Sequence, residues 1–555
     1  MPITSPTESN SVQPDITGWR IRVYYISRNP HVLFWTAVFI VMLGIFIGRQ
    51  LEPAKDTSDF DSEPATSQAV DADGDDQEEV VHLDAELKKP KPELERIIQG
   101  LRWEMPDREN RAAATLAKLK SSRLSANDIQ IAAAYLQSVA SPLNEPGADL
   151  LVLAYQPQPL PLTNELVADL YAESGRQDLA LEHYQKELSI RPGAEGTVKK
   201  LIDFYWESKN FPKLTELQAD PASAHFFEPE QTLEIASKAH DWKATLRPLW
   251  NMQVKAFADK TPVILTSIAG LLWLILAWQM VQTPGLLHFR TWAPLVAIAL
   301  GAASTYPVLF LDIYQSEMWG LKQTGFLLKD WTFFIAGVGV REELCKWIAF
   351  LPLLVVLLIR GSRLETVVVA GCVGLGFAVE ENVSYFSTSS NPAIAFGRFL
   401  TANFFHFAAT GLIGVASYDS LKNPKKWWRF PATFIVVALA HGFYDSFVGI
   451  PNYVFTALGL SCFILLSLAF FREVSRERGP ATDQLFPGAT LIIGLSTLVS
   501  TVIVCAAREN GVDFALGAIA ASAVFLSLFI YMFYILFRDG LEEEPELVAP
   551  KYDNF

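Results

Sequence analysis

Four consecutive apolar segments of this chain carry acidic or imidazole side chains at positions where hydrocarbon side chains are expected. In chain order these side chains are Glu342 and Glu343, Glu380 and Glu381, His406, and His441 with Asp445. An ionised carboxylate near the centre of a bilayer costs roughly 2.5–3.5 kcal/mol on insertion scales. Side chains that are so costly to bury predict either buried partners or a chemical purpose.

The spacing of these residues places several of them on shared helical faces. Glu342 lies four residues and Glu343 three residues before Lys346, so either acid can meet the lysine on one face of a helix. The lysine then partly neutralises the acids. His441 and Asp445 are one turn apart, a spacing that lets a carboxylate orient an imidazole or share a ligand with it.

The two intervening segments add groups at the same helical spacing. The stretch GLGFAVEENVSYF places Phe377 and Glu381 on one face, and Asn382 follows directly. The stretch FFHFAATGLIG places Thr410 one turn after His406. We expect Phe377 and Asn382, together with the lysine of the preceding segment, to support the site.

The chemistry that such a set of side chains supports is hydrolysis. A carboxylate in a low-dielectric site can take a proton from water. His406 and His441, with Glu342 or Glu343, can hold a zinc ion that activates the water. Alternatively, a histidine can donate a hydrogen bond to a tetrahedral oxyanion. No serine nucleophile elbow, GxGD aspartyl signature or HExxH motif lies near these residues, which excludes the reactions that depend on them.

Helices must bring these side chains together, and hydropathy predicts ten membrane spans. Each is close to the ~20 residues that cross ~30 Å of hydrocarbon. The spans are 32–48, 262–282, 292–312, 331–359, 364–386, 397–418, 431–450, 453–471, 488–507 and 514–537. The sequence therefore predicts an all-α fold, in which a polytopic helical membrane protein of about ten spans is joined to a soluble α-helical repeat domain.

Lysine and arginine are concentrated in the loops on one side of the predicted membrane. By the positive-inside rule, both termini are cytoplasmic and residues 51–260 are extracytoplasmic. The first span ends in Arg49 without a small-x-small cleavage site, so we interpret it as a retained signal anchor. With this topology the polar residues all lie between the mid-plane and the outer interface. We therefore expect one polar pocket, open to the outside, in a protein surrounded by the lipid of a bacterial inner or plasma membrane.

The composition excludes some classes of function. The net charge of −15 argues against a nucleic-acid partner, because binding to phosphate requires a basic face. All four cysteines lie in predicted spans, so a disulfide framework is not expected, and no CxxC metal motif is present.

The region between the first two spans is polar. Residues 52–86 hold thirteen acids against one lysine, which predicts a disordered acidic linker. Farther on, ADLYAESGR at 168–176 matches IDFYWESKN at 202–210 with a displacement of 34 residues. This period resembles the tetratricopeptide repeat, whose concave face binds peptides or proteins. An irregular helical bundle is the alternative interpretation.

These observations predict six parts of the chain. They are a cytoplasmic segment (1–31), a signal-anchor span (32–48), an acidic linker (49–90), a helical repeat domain (91–260), a nine-span core (261–538) and an acidic cytoplasmic tail (539–555).

The motifs EELCK (342–346), FAVEEN (377–382), HFAATG (406–411) and HGFYD (441–445) resemble those of the PrsW family of intramembrane proteases, which is related to the type II CAAX prenyl proteases. The resemblance covers roughly residues 262–540. It implies that Glu342 and Glu343 are the water-activating group and its companion. His406 and His441 would be metal ligands or oxyanion stabilisers.

The resemblance also implies that Glu381 is a further acid of the site and that Asp445 orients His441. Families of this kind are labelled metalloproteases, whereas a metal-free glutamate mechanism is argued for the CAAX relatives. The implied reaction is the cleavage of a membrane-anchored protein near its extracytoplasmic face. The repeat domain, which is an addition to the family core, would bind the substrate or a protein partner.

Two other functions are compatible with the same residues. Intramembrane acids and histidines also mark the ion paths of transporters and proton-coupled channels. The clustering of the acids in one half of the membrane argues against a relay across it, and no inverted repeat relates the spans. A catalytically silent scaffold is the third possibility, against which the intact set of motifs argues.

Overall fold

The computed structural model describes residues 19–51, 82–103, 108–140, 145–281, 289–388, 392–449, 453–477 and 485–517, with a few single positions after 517. All regular elements among these residues are helices. The all-α, polytopic membrane fold predicted from the sequence is thereby confirmed. The chain forms two compact units, one from Met1–Ser58 and Leu249–Phe555, the other from Asp59–Pro248.

The chain begins with a short helix and a long apolar one. These are α1 (Trp19–Arg28) and α2 (Pro30–Leu51), the second of which contains the predicted signal-anchor span. The predicted cytoplasmic residues before 19 and the linker residues 52–81 lie outside the described part of the chain.

The unit Asp59–Pro248 consists of short helices, most of them amphipathic, that pack around two hydrophobic clusters. The helices are α3 (Leu83–Leu87), α4 (Leu94–Trp103), α5 (Arg108–Ser121), α6 (Ala126–Ala140), α7 (Ala148–Ala154), α8 (Thr163–Glu173), α9 (Gln177–Ile190), α10 (Glu195–Glu207), α11 (Phe211–Ala219), α12 (Pro229–Lys238) and α13 (Trp242–Ala256). The predicted linker extends to residue 90, but Leu83 and Glu86 of α3 are buried, so ordered packing begins earlier.

The membrane unit continues with helices that match the predicted spans in order. They are α14 (Lys260–Met280), α15 (Phe289–Ala303), α16 (Thr305–Trp319), α17 (Leu327–Thr332), α18 (Val340–Arg360), α19 (Arg363–Thr388), α20 (Pro392–Lys422), α21 (Arg429–Gly449), α22 (Tyr453–Glu477) and α23 (Pro487–Asn510). The predicted tenth span, 514–537, and the tail, 539–555, lie mostly or wholly outside the described residues.

Six helical segments among the described residues are long and apolar enough to cross a membrane. They are Pro30–Leu51, Lys260–Met280, Phe289–Trp319, Arg363–Ser387, Ala457–Glu477 and Pro487–Arg508. Helices α18, α20 and α21, with 21, 31 and 21 residues, lie at three further predicted spans and carry polar groups. Protein buries 89% of the most apolar 18-residue stretch of α19, compared with 17% of the corresponding stretch of α2.

The predicted span 331–359 is not one regular helix. Residues Phe333–Gly339 form a π-helix, and α18 begins directly after it at Val340. Single π-helical turns within helices are frequent at functional sites. Gly339 lies at the end of this segment, where a Cβ atom would come within 2.2 Å of the carbonyl oxygen of Ala438. Glycine is required here because α21 approaches so closely.

Backbone contact also fixes α19 against α20. A Cβ atom at Gly374 would lie 2.0 Å from the carbonyl oxygen of His406. Any larger residue would therefore push apart the two helices. This contact determines how far the side chains of α19 and α20 reach towards each other.

Salt bridges join the ends of α19, α20, α21 and α22. The arginines are Arg363, Arg429 and Arg476, and the acids are Asp419, Glu473 and Glu477. We call these six residues the arginine cluster. Arg363 contacts all three acids, and Arg429 lies 2.5 Å from Asp419. Three cations thus face three carboxylates.

Candidate active site

The structure brings the predicted site residues together on α18, α19, α20 and α21, towards the ends of α19 and α21 that lie opposite the arginine cluster. The first turn of α18 supplies Glu342 and Glu343. Glu381 lies near the end of α19, His406 in the middle of α20, and His441 with Asp445 in the last turns of α21. These six residues and Lys346 form what we call the lysine cluster.

Lys346 is the centre of this cluster. Its side chain is completely buried, and its Nζ lies 3.1 Å from Glu342 Oε2, 2.9 Å from Glu343 Oε1 and 2.8 Å from His406 Nδ1. The ring of Phe377 lies beneath the ammonium, 3.9 Å from its centroid. One ammonium therefore serves two carboxylates and an imidazole, and an aromatic face supplies further stabilisation of its charge.

The two adjacent glutamates have different environments. Glu343 is fully buried and accepts hydrogen bonds from Lys346 and Thr410, and its Oε1 lies 2.8 Å from His441 Nδ1. Because a carboxylate only accepts, this imidazole nitrogen carries the proton. Glu342 instead lines a cavity, and its Oε2 lies 3.6 Å from His441 Nε2. Glu343 is thus held in place, whereas Glu342 faces open space.

His406 connects the lysine to the acid of α19. Since an ammonium only donates, His406 Nδ1 accepts from Lys346, and Nε2 then donates to Glu381 Oε2 at 3.2 Å. The same carboxylate oxygen lies 3.0 Å from Arg398 Nη2. The rings of His406 and His441 are 5.0 Å apart between centroids.

Asp445 and Asn382 occupy the edge of the cluster. Asp445 Oδ2 lies 3.2 Å from His441 Nε2, and the carboxylate is about a quarter exposed. Asn382 accepts from Arg398 at 3.0 Å and donates to Asn403 at 2.9 Å. Its described contacts are thus with the arginine that holds Glu381.

A cavity of about 440 Å³ opens beside the cluster. It is lined by groups from several helices, namely Thr305, Val308, Leu309, Asp312, Gln323, Phe333, Phe334, Val338, Arg341, Glu342, Phe377, Glu380, Glu381, Ser384, Tyr385, Arg398 and Asp445. The arrangement offers a substrate direct access to Glu342 and Asp445.

A larger cavity, of about 780 Å³, lies in the unit Asp59–Pro248. Each of the five carboxylates that line it has a basic partner. Lys200 pairs with Glu165 and Asp169, and Arg102 pairs with Glu173. We therefore assign the chemistry to the smaller cavity, where the carboxylates and imidazoles meet.

The donor set of the lysine cluster matches a zinc site in residue type. One ligand atom each from Glu342, His406 and His441 lie within 4.8 Å of one another. His441 Nε2 is buried and makes no regular hydrogen bond among the described residues, but Asp445 Oδ2 lies 3.2 Å from it, so a metal ion bound there would displace this contact. Three protein ligands with an open position are typical of catalytic zinc. The Lys346 ammonium contacts two of the same residues and would compete with a metal ion for them.

Two arginines near the site were not predicted. Arg398 holds Glu381 and stacks over the ring of Tyr385 at 3.8 Å, and Arg341 binds Asp312 at 2.7 Å. A charged residue inside each predicted apolar stretch was the available signal. Its partner could not be assigned, because these pairs join separate helices.

No curated protein and no solved structure matches this chain. Residues 290–471, in contrast, match the PrsW-protease family model, which is described as PrsW family intramembrane metalloprotease. The matched segment contains every residue of the lysine cluster. This part of the membrane unit is similar to PrsW family intramembrane metalloproteases.

Proposed function

We propose that this protein is an intramembrane endopeptidase that hydrolyses peptide bonds of membrane-anchored proteins. The observation that carries the proposal is the position of Glu342, a carboxylate that lines a cavity beside two buried imidazoles and a buried ammonium. The family match over residues 290–471 supports the same reaction.

Glu342 is the residue to which we assign the activation of water. It takes a proton from a water molecule in the cavity, and the resulting hydroxide adds to the carbonyl carbon of the scissile peptide. The proton then passes to the leaving amide nitrogen, so that a carboxylate and an amine are released. Glu343 is excluded from this role because its oxygens are occupied by Lys346, Thr410 and His441.

The remaining residues hold the reacting groups in place. Glu343 orients the ring of His441 through Nδ1, and Asp445 faces the other ring nitrogen. The Lys346 ammonium lies 3.1 Å from Glu342 Oε2 and counteracts the cost of burying this carboxylate, because an opposite charge within hydrogen-bond distance favours the ionised form. The imidazole of His441 lies where it can stabilise the oxyanion that forms during the addition.

A divalent metal would be held by Glu342, His406 and His441, the three residues whose ligand atoms converge. When bound there, zinc would supply Lewis-acid polarisation of the scissile carbonyl and a lowered pKa of bound water. Glu381, which contacts His406 Nε2, would then orient a ligand rather than contact the substrate.

The repeat unit and the topology complete the proposal. The consecutive helices from α8 to α12 each pack against the next, and stacked helix pairs of this kind would suit the binding of a protein substrate or partner. The arginine distribution supports a cytoplasmic location of both termini and an outer location of this unit.

The test is cleavage of single-span membrane proteins by the purified full-length chain in lipid. Wild-type protein should cut at least one such substrate, and Glu342→Gln, Glu343→Gln, His406→Ala and His441→Ala should each reduce the rate strongly. The matched control is Glu473→Gln, which removes a partly buried carboxylate of the arginine cluster. Wild-type rates in all four variants would refute the proposed site.

The metal is tested on the same samples. Zinc content per chain is measured before and after chelation, together with the thermal midpoint of unfolding. If Glu342, His406 and His441 hold zinc, each single variant should lower the zinc content, and chelation should lower the midpoint. A metal-free wild type that cleaves its substrate and is unaffected by chelator would assign the reaction to the glutamate alone.

A further inference from the structure

The cavity beside the lysine cluster is lined by more acids than bases. Five carboxylates and two arginines face it, and these are Asp312, Glu342, Glu380, Glu381, Asp445, Arg341 and Arg398. A cleft lined by one sign of charge with low-dielectric walls focuses the field and concentrates ligands of the opposite sign. The cavity is therefore suited to a cation.

Four of these carboxylates already have a basic partner among the described residues. The pairs are Asp312 with Arg341 at 2.7 Å, Glu342 with Lys346 at 3.1 Å, Glu381 with Arg398 at 3.0 Å, and Asp445 with His441 at 3.2 Å. The remaining carboxylate is that of Glu380.

Glu380 is 6% exposed, and its Oε1 has no hydrogen-bond partner among the described residues. The hydroxyl groups of Thr305 and Ser384 are its polar neighbours, and both line the cavity. A buried carboxylate without a cation is costly, and a buried acceptor without a partner requires an explanation. A ligand that brings a cation to this carboxylate would remove both costs.

We propose that Glu380 selects substrates by binding the ammonium or guanidinium group of a lysine or arginine near the scissile bond. This inference depends on the proposed protease function for the identity of the ligand as a substrate side chain. The apolar stem of such a side chain would lie along Val308, Leu309 and Phe334, which line the same cavity. Long basic side chains bury their methylene groups in this way while the charged end finds a polar partner.

The first test needs no turnover. Binding of benzamidine, a cationic probe, and of benzamide, its neutral isostere, is measured by calorimetric titration of the full-length protein in nanodiscs. Wild type should bind benzamidine at least tenfold more tightly, and Glu380→Gln should abolish this preference. Glu365→Gln is the matched control, because Glu365 is a buried glutamate of the same helix whose partner is Arg290. It should keep the preference.

Equal binding of the two probes by wild type, or an unchanged preference in a Glu380→Gln protein with a wild-type unfolding midpoint, would overturn the proposal.

The second test uses a single-span substrate that the wild type cleaves. Replacing the lysines and arginines beside its scissile bond by glutamine should lower kcat/KM at least tenfold for wild type and leave it unchanged for Glu380→Gln. If the wild type cleaves no single-span membrane protein although it binds benzamidine selectively, the protease function is contradicted.

Discussion

Helices α19, α20 and α21 contribute to both clusters of charged residues, with α22 added in the arginine cluster and α18 in the lysine cluster, yet the two clusters are built differently. In the arginine cluster three arginines face three carboxylates. In the lysine cluster the single ammonium of Lys346 is shared by Glu342 and Glu343, both of which also lie beside His441. The first cluster balances its charges, whereas the second keeps an excess of carboxylates beside a cavity.

This difference separates a structural role from a chemical one. Arginine binds carboxylates through a fork of donors and stays charged, so it suits permanent contacts between helix ends. A lysine shared among several acceptors leaves each with fewer hydrogen bonds. Unsatisfied acceptors are available to water or substrate, which is what a reaction requires. Substitutions in the arginine cluster should therefore affect stability, and those in the lysine cluster should affect turnover.

The largest effect is expected for Lys346→Met, because it removes the only described cation between two buried carboxylates. Breaking a buried ion pair costs about 3–5 kcal/mol, so the free energy of unfolding should fall by that amount. Cleavage should be lost as well. Chemical unfolding in mixed micelles and the substrate assay measure both effects. The double variant Lys346→Met/Glu342→Gln should recover part of the stability, and strict additivity would contradict the shared-lysine description.

Glu342→Gln should reduce cleavage by about 10²–10⁴-fold, the contribution of a general base. The stability should change little, because the variant keeps a hydrogen-bonding group beside Lys346. Single-turnover cleavage and the unfolding midpoint check the two halves of this statement. Glu473→Gln in the arginine cluster is the converse experiment. It should reduce the stability, whereas turnover per folded molecule should stay near wild type. The opposite outcome would reverse the roles of the clusters.

Asp445→Asn should lower kcat by about 10–100-fold, the usual effect of losing a group that orients a functional histidine. The aspartate lies 3.2 Å from His441 Nε2 and is partly exposed, so the unfolding midpoint should stay close to wild type. A change in KM with constant kcat would show instead that Asp445 contacts the substrate without orienting the ring.

Asp419→Asn tests the arginine cluster alone. Asp419 accepts hydrogen bonds from Arg363 and Arg429, and its loss should reduce the free energy of unfolding by about 1–3 kcal/mol. Cleavage per folded molecule should be unchanged, because the cluster lies at the far ends of the helices. An effect on kcat comparable with that of Asp445→Asn would show that the two ends are coupled.

The last expected effect concerns stability alone and lies in the unit Asp59–Pro248, which contains the buried imidazole of His183. His183 hydrogen-bonds to Asn164 and Tyr155, and burial lowers its pKa to about 4. The unfolded chain gains a proton near pH 6.5, so the free energy of unfolding should fall as the pH drops from about 6.5 to about 4. Hydrogen exchange of α8 amides measures this slope. His183→Gln should flatten it, and an equal slope in both proteins would assign it to other groups.

Sequence patterns predicted the fold class and the identity of the clustered residues well. Acids and histidines at depth in apolar segments are rare enough to be recognised without any tertiary information. The helix-by-helix spacing also predicted that Lys346 meets Glu342 and Glu343. These features depend on local periodicity, which a sequence contains directly.

The contacts between helices could not be predicted in the same way. The contact of Lys346 with His406 depends on the rotation of α18 relative to α20. The orientation of Glu342 towards the cavity depends on the π-helix that precedes α18. Close backbone contacts at Gly339 and Gly374 fix the approach of the π-helix to α21 and of α19 to α20, and a glycine in a helical pattern does not specify its neighbour. The roles of Arg398 and Glu380 were missed for the same reason.

Helix α19, which carries both Glu380 and Glu381, is enclosed by protein along most of its length. Hydrolysis consumes a water molecule for each bond cut, and neither lipid tails nor the helices packed around α19 provide one. The second reactant must therefore be delivered through the cavity, which reaches the surface at the exposed ring of Tyr385. The width of that opening would then set the supply of water, and lowering the water activity with an inert osmolyte would slow the proposed reaction even with its substrate saturating.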